Sequence, residues 1–99
     1  MRPKRGTKAN NAGSKPVEFR FEAPPGVRVG VAGTFNNWDP YCDQMREEGT
    51  NGSYRLVLQL PPGRHEYRFV MGDEWRADPQ NPDTIVNSYG SLNSVMTVQ

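Results

Sequence analysis

One cysteine and one histidine are all this 99-residue chain has of the side chains on which most metal and nucleophilic sites depend. Cys42 cannot form an internal disulfide by itself, so the fold must stand on packing and nothing marks an oxidising compartment. Zinc-finger spacing is excluded with it. Long apolar runs are also missing. Residues 1–16 hold only Met1, Ala9 and Ala12, which excludes a signal-peptide core, and no segment reaches the roughly 20 residues of a membrane helix. The expectation is a cytoplasmic chain with no membrane partner. Nor is there a sustained helical period, so helical folds drop out.

What is present suits one small domain: 34% hydrophobic, 23% charged, with ten glycines and nine prolines to punctuate short elements. A chain of this size buries roughly two-thirds of its unfolded surface, so a functional site belongs on the surface rather than in a deep cleft. The net charge of +1 hides an asymmetry. Arg2, Lys4, Arg5, Lys8 and Lys15 face no acid within residues 1–16, leaving seven basic against eleven acidic residues in 17–99 and a body of −4. A body of that sign does not draw phosphate backbones, which weighs against nucleic acid as a partner.

Residues 1–16 have little to bury and read as a flexible basic tail, either a solubilising leader or a tether to an acidic partner. The carbohydrate-binding domain expected over 17–99 opens with period-two alternation. Val17, Phe19 and Phe21 face one way, and Glu18, Arg20 and Glu22 the other. After Pro24-Pro25-Gly26, Val27, Val29 and Val31 repeat the pattern, and the two strands are expected to pair as a hairpin. A weaker segment surrounds Met45. Asn51-Gly52 then introduces Tyr54, Leu56, Leu58 and Leu60, and Pro61-Pro62-Gly63 ends that strand. His65, Tyr67, Phe69 and Met71 share the next inner face, opposite Arg64, Glu66, Arg68 and Val70. Gly72-Asp73 turns the chain into Glu74-Trp75-Arg76, a proline-punctuated stretch follows, and a last strand is expected at about Ser94 to Val98. Six or seven short strands joined by Gly and Pro turns predict an all-β, immunoglobulin-like antiparallel β-sandwich, without the Cys and Trp hallmarks of true immunoglobulin domains.

An enzyme has little to work with here. His65 shares a face with aromatics and reads as a satisfied core or edge imidazole, and nothing cationic in sequence activates Cys42. Loop acids Asp39, Asp43, Asp78 and Asp83 would need a cleft to act as a glycosidase pair, and Asp78 and Asp83, each beside a proline, read as turn-formers. No cofactor and no metal is implied. The two tryptophans say more. Trp38 and Trp75 both sit beside turns, where an indole either stacks on the flat C–H face of a sugar or plugs one end of the sandwich. Arg68 is expected outward with its donor fork, as a hydroxyl ligand or a solvated cation. Ser88, Tyr89, Gly90, Ser91 and Asn93 form a polar loop that either presents donors and one aromatic or acts as a plain hinge.

Thr34-Phe35-Asn36-Asn37-Trp38, Leu60 to Phe69, Gly72-Asp73-Glu74-Trp75 with Asp78-Pro79, and Asn87 to Val98 occur in one order over residues 17–99. In these motifs the chain resembles the family 48 carbohydrate-binding modules, the family of the glycogen-binding module of AMP-activated protein kinase beta subunits and of N-terminal modules of glycogen branching and debranching enzymes. The resemblance implies an early-set β-sandwich that binds α-1,4-linked glucan without cleaving it and targets an attached or associated glycogen-metabolising enzyme. By position it implies Trp38 and Trp75 as stacking residues, Arg68 in place of a lysine that bonds glucose hydroxyls, Ser91 and Asn93 as further hydroxyl ligands, and Tyr89 in place of a leucine that reaches into the curve of the glucan. The competing reading is a docking module whose sugar site is vestigial.

Overall fold

A computed structural model of the chain describes residues 13–99. They form nine strands: β1 (Lys15–Glu22), β2 (Val29–Gly33), β3 (Asp43–Gln44), β4 (Arg46–Glu47), β5 (Ser53–Leu60), β6 (Gly63–Met71), β7 (Glu74–Arg76), β8 (Thr84–Val86) and β9 (Leu92–Val98). All pair antiparallel, in a smaller sheet ordered β1-β5-β4 and a larger one ordered β3-β2-β6-β9-β8, with β7 added to β6. The two sheets form the expected sandwich. Among the described residues no helix is long and apolar enough to cross a membrane.

Alternation builds the core as the sequence predicts. Phe19 and Phe21 of β1 and Tyr54 and Leu60 of β5 meet Tyr67 and Phe69 of β6, Val29 and Val31 of β2, and Val98 of β9. The aromatic rings interlock, Phe19 standing edge-on to Tyr67 at 5.2 Å and Phe21 tilted over Phe69 at 4.7 Å. Edge-to-face contact suits the ring quadrupoles and adds to the apolar area removed from water. His65 closes one end of this core, as expected of a satisfied imidazole: it is buried, its Nε2 lies 2.9 Å from the Pro61 carbonyl, and Phe35 packs against it.

The expected β1–β2 hairpin is not formed. β1 pairs with β5 along its whole length, while β2 lies in the other sheet between β3 and β6. Pro24-Pro25-Gly26 therefore carries the chain across the sandwich. The buried Tyr54 pins the crossing, its hydroxyl donating to the Pro24 carbonyl and accepting from the Val27 N–H, both at 3.0 Å. A hairpin turn and a sheet-to-sheet crossing share one local signature, Pro and Gly between alternating runs, and only long-range partners separate them. Other boundaries shift as well. β1 begins at Lys15, inside the span assigned to the tail, with Lys15 and Pro16 paired to Leu60 and Gln59. Residues 1–12 of that tail lie outside the described residues. β2 starts at Val29 rather than Val27, β9 at Leu92 rather than Ser94, and β8 was not foreseen.

The turn chemistry is partly as predicted. Asp78 Oδ1 accepts from the Gln80 N–H at 2.9 Å and its Oδ2 from the Tyr67 hydroxyl at 2.7 Å, joining the turn to the core. Asp83 is not a turn-former of this kind. Its own N–H donates to Asn81 Oδ1 at 2.9 Å, so Asn81 supplies the side-chain turn. Burial above all, helped by the Asp78 carboxylate and opposed by the hydrogen bond from Asn81, pushes the Tyr67 hydroxyl pKa well above its ordinary value.

Candidate functional site

The outer face of the larger sheet, with β7 and two loops around it, encloses a hollow of about 590 Å³, lined by Thr34, Trp38, Glu66, Arg68, Trp75, Asn87, Ser88, Tyr89 and Asn93. Trp38 arrives on the loop that follows β2. There Asn36 acts as a peg, its Oδ1 accepting from the Gly33 N–H and its Nδ2 donating to the Val31 carbonyl and to Asp43 Oδ2. Trp38 N–H closes on the Gly33 carbonyl at 2.9 Å. Gly33 has no room for a side chain: a Cβ would stand 2.5 Å from the Glu66 carbonyl and 2.6 Å from the Phe35 ring. The tight closure places Asn37 and Trp38 at φ of 57° and 59°. Asparagine tolerates that left-handed region, whereas a bulky aromatic held there carries about 1–2 kcal/mol of strain, and strain of this kind concentrates at functional positions.

Trp75 comes from the opposite side on β7, in register with Val70 of β6. Its half-exposed indole, 37% accessible, lies against Arg68, whose guanidinium carbon is 5.8 Å from the ring centroid. Arg68 Nη2 also donates to the Trp75 carbonyl at 3.0 Å. Arg68 is thus on the outer face as expected, but its fork is partly committed to propping Trp75. Its Nε is buried and finds no hydrogen-bond partner among the described residues.

The β8–β9 loop supplies the third side. Asn87 folds it, its Oδ1 accepting from the N–H groups of Tyr89 and Ser91 at 2.9 and 3.1 Å. Tyr89 is left 92% exposed at the tip. Five of the six residues singled out from the sequence, Trp38, Arg68, Trp75, Tyr89 and Asn93, therefore border one hollow. Ser91 stands apart from its lining, half-buried in the loop. Thr34, Glu66 and Asn87 were not singled out. The available signal was that Glu66 shares the outer face of β6 with Arg68; the other two had only polar loop character.

Glu66 brings a carboxylate to the floor. Its pKa lies below the ordinary value because Asn93 donates a hydrogen bond to it and Arg64 pairs with it, against an opposing effect of burial. Nothing in this arrangement resembles a nucleophile with its base, and the described residues contain no cluster of three or more His, Cys, Asp or Glu side chains able to hold a metal. Cys42 is exposed elsewhere, its thiol pKa raised by Asp43 first of all, which opposes thiolate formation. The chemistry on offer is two indoles, a phenol, a guanidinium and amides around an open hollow, which equips it to bind and orient a flat polar molecule.

Residues 15–99 match the model of the family described as the glycogen recognition site of AMP-activated protein kinase. The chain belongs to this family. As a glycogen-recognition module it is similar to 5'-AMP-activated protein kinase subunit beta-1 of Sus scrofa, with 28% identity over 89 residues covering 90% of this chain and 68% of that sequence. The Bos taurus subunit is 30% identical over 88 residues, and there the chain spans only 30% of its relative. Among solved structures, a maltogenic amylase from S. marinus superimposes with a TM-score of 0.70 at 21% identity, over 88% of this chain and 14% of the amylase. The enterobactin esterase of Shigella flexneri gives 0.69 at 18% identity, over 95% of this chain and 34% of the esterase. These two likenesses show a shared sandwich fold within much larger chains. The glycogen-recognition module is a non-catalytic carbohydrate-binding domain.

Proposed function

We propose that the module binds α-1,4-linked glucan, as glycogen, starch or maltooligosaccharide, on a platform where Trp38 and Trp75 stack successive glucose units. The observation that carries this reading is the convergence of two indoles, one from the loop after β2 and one from β7, on one hollow that Arg68 and Asn93 also line. An indole face and a pyranose C–H face remove apolar area from each other's hydration at little conformational cost, while the guanidinium and amide bond the hydroxyls. Tyr89 adds a third ring that rises from the loop against the curve of a helical glucan. Such an open site binds in about the micromolar to millimolar range, because little ligand area is covered. Binding of this strength targets an attached or associated glycogen-metabolising enzyme to polysaccharide. A kinase complex is one such setting, in keeping with the relatives.

Titration with maltoheptaose, followed by intrinsic tryptophan fluorescence, tests the reading. Saturable change that is lost in Trp38→Ala and in Trp75→Ala supports it; no response from a folded sample overturns it. The second reading, a docking module, is favoured by the β8–β9 edge, where Ile85, Val86 and Leu92 are exposed. It predicts no response to the sugar.

A further inference from the structure

The hollow contains a hydrogen-bond relay whose direction is fixed at both ends. Arg64 Nη1 donates to Glu66 Oε2 at 2.7 Å, Asn93 Nδ2 to Glu66 Oε1 at 3.1 Å, and Asn87 Nδ2 to Asn93 Oδ1 at 3.0 Å. Asn87 Oδ1 then accepts from the backbone N–H groups of Tyr89 and Ser91. A backbone N–H can only donate, so it holds the Asn87 oxygen and leaves the Asn87 amide nitrogen facing Asn93. An ionised carboxylate can only accept, so Glu66 requires the Asn93 nitrogen. Reversing the Asn93 amide would set its oxygen against the carboxylate and its N–H₂ against that of Asn87. Asn93 is 5% exposed, so neither mismatch is relieved by water.

We propose that Asn87 and Glu66 are positioning residues for glucan binding, which hold the Asn93 amide in one orientation from opposite sides and tie it to the loop that carries Tyr89. This rests on the reading of the hollow as a glucan site. With one donor and one acceptor of Asn93 committed to the relay, its second N–H and second lone pair form a preset pair, matched to two neighbouring hydroxyls of a hexopyranose. Preorganisation of this kind strengthens binding by removing an ordering cost, without adding a contact. It also couples the floor of the site to its rim, since the anchor of the 92% exposed Tyr89 is the same Asn87.

The relay depends on the charge of Glu66. The charged groups on its face are Arg64 and Arg68 of β6. From β9 it meets Asn93, with Val95 paired to it in register, and on the β2 side Thr34, whose Oγ1 accepts from the Glu66 N–H. Glu66 is the one carboxylate among the residues that line the hollow. A protonated Glu66 can donate as well as accept, and the amide loses its preference.

The test is maltoheptaose affinity of the 99-residue chain, its Glu66→Gln variant and its Asn87→Asp variant, from about pH 7 to about pH 3.5. Glu66→Gln keeps the shape but presents either an oxygen or a nitrogen. Asn87→Asp keeps the acceptor for Tyr89 and Ser91 while turning the other oxygen on Asn93. Each variant is expected to bind about three- to tenfold more weakly at neutral pH. Wild-type affinity falls on acidification, whereas Glu66→Gln stays flat, and its Asn93 side-chain amide resonances lose the hydrogen-bonded shift seen in the wild type. Wild-type affinity in Glu66→Gln, with the same pH profile, overturns the inference while leaving the glucan site standing. Absence of binding by the wild-type chain overturns the site and the inference together. Should Asn87→Asp not fold, Glu66→Gln carries the test by itself.

Discussion

Replacing Trp75 with alanine removes the stacking face, and with it the contact of the Arg68 guanidinium on the ring, while the backbone that positions it survives the change. The bond from Arg68 reaches the Trp75 carbonyl, a backbone group that alanine retains. The indole is 37% exposed, about 90 Å² of a side chain of roughly 250 Å². A glucose ring laid on one face covers about half of that area and loses a similar area of its own. At about 25 cal/mol per Å² the two together are worth about 2 kcal/mol, so Trp75→Ala should weaken maltoheptaose binding about 10- to 30-fold. Isothermal titration calorimetry reads the loss directly, and the unfolding midpoint should move little, since a half-exposed ring on a three-residue strand contributes little to the core. Unchanged affinity in a folded Trp75→Ala variant would refute the stacking argument, whatever the chain binds.

Trp38→Gly is expected to be about 1 kcal/mol more stable than Trp38→Ala, because only glycine adopts φ of 59° without strain, and both should lose glucan binding; denaturant unfolding of the pair measures the difference. Tyr67→Phe removes a buried hydroxyl that donates to Asp78 and accepts from Asn81, and should cost about 1–3 kcal/mol in chemical denaturation with glucan affinity retained. Glu66 has a folded-state pKa below its ordinary 4.5, so it stabilises the fold above that pH and the contribution disappears as pH falls through the depressed value. The stability difference between wild type and Glu66→Gln should accordingly be present at neutral pH and shrink below about pH 4.5, as thermal melts across that window will record.

The core was legible wherever an element has one wet and one dry face. Phe19, Phe21, Tyr54, Tyr67 and Phe69 declare their sides through the charged residues between them. β2 is buried along its whole length, so its alternation of valine with small residues marked a strand but not its partners. β8 is a three-residue edge exposed on both faces, and a strand with no buried face has no pattern to show. Val70, outward by alternation, is nevertheless 5% exposed, because β7 adds itself alongside β6 at that point.

The candidate site divides in the same way. Trp38 and Trp75 stood out because tryptophans beside turns are unusual, and Arg68 because it alternates with core aromatics. Asn93 was visible only as one of several polar residues before the last strand until the family resemblance assigned it a role, and its burial between Glu66 and Asn87 depends on strand register that local sequence does not encode. Asn87 and Glu66 escaped notice for that reason: a polar residue in a loop or on a strand's outer face has no signature until its distant partner is in place.

The central claim is that an α-glucan sits between Trp38 and Trp75. The most direct measurement is a ¹H–¹⁵N correlation spectrum of the chain titrated with maltoheptaose, in which each indole N–H reports separately. The account predicts saturable shifts of both indole resonances, accompanied by the amides of Tyr89 and Asn93 and the side-chain amide of Asn93. Shifts confined to the outer face of the β1-β5-β4 sheet, or no shifts at all at millimolar sugar, would contradict it.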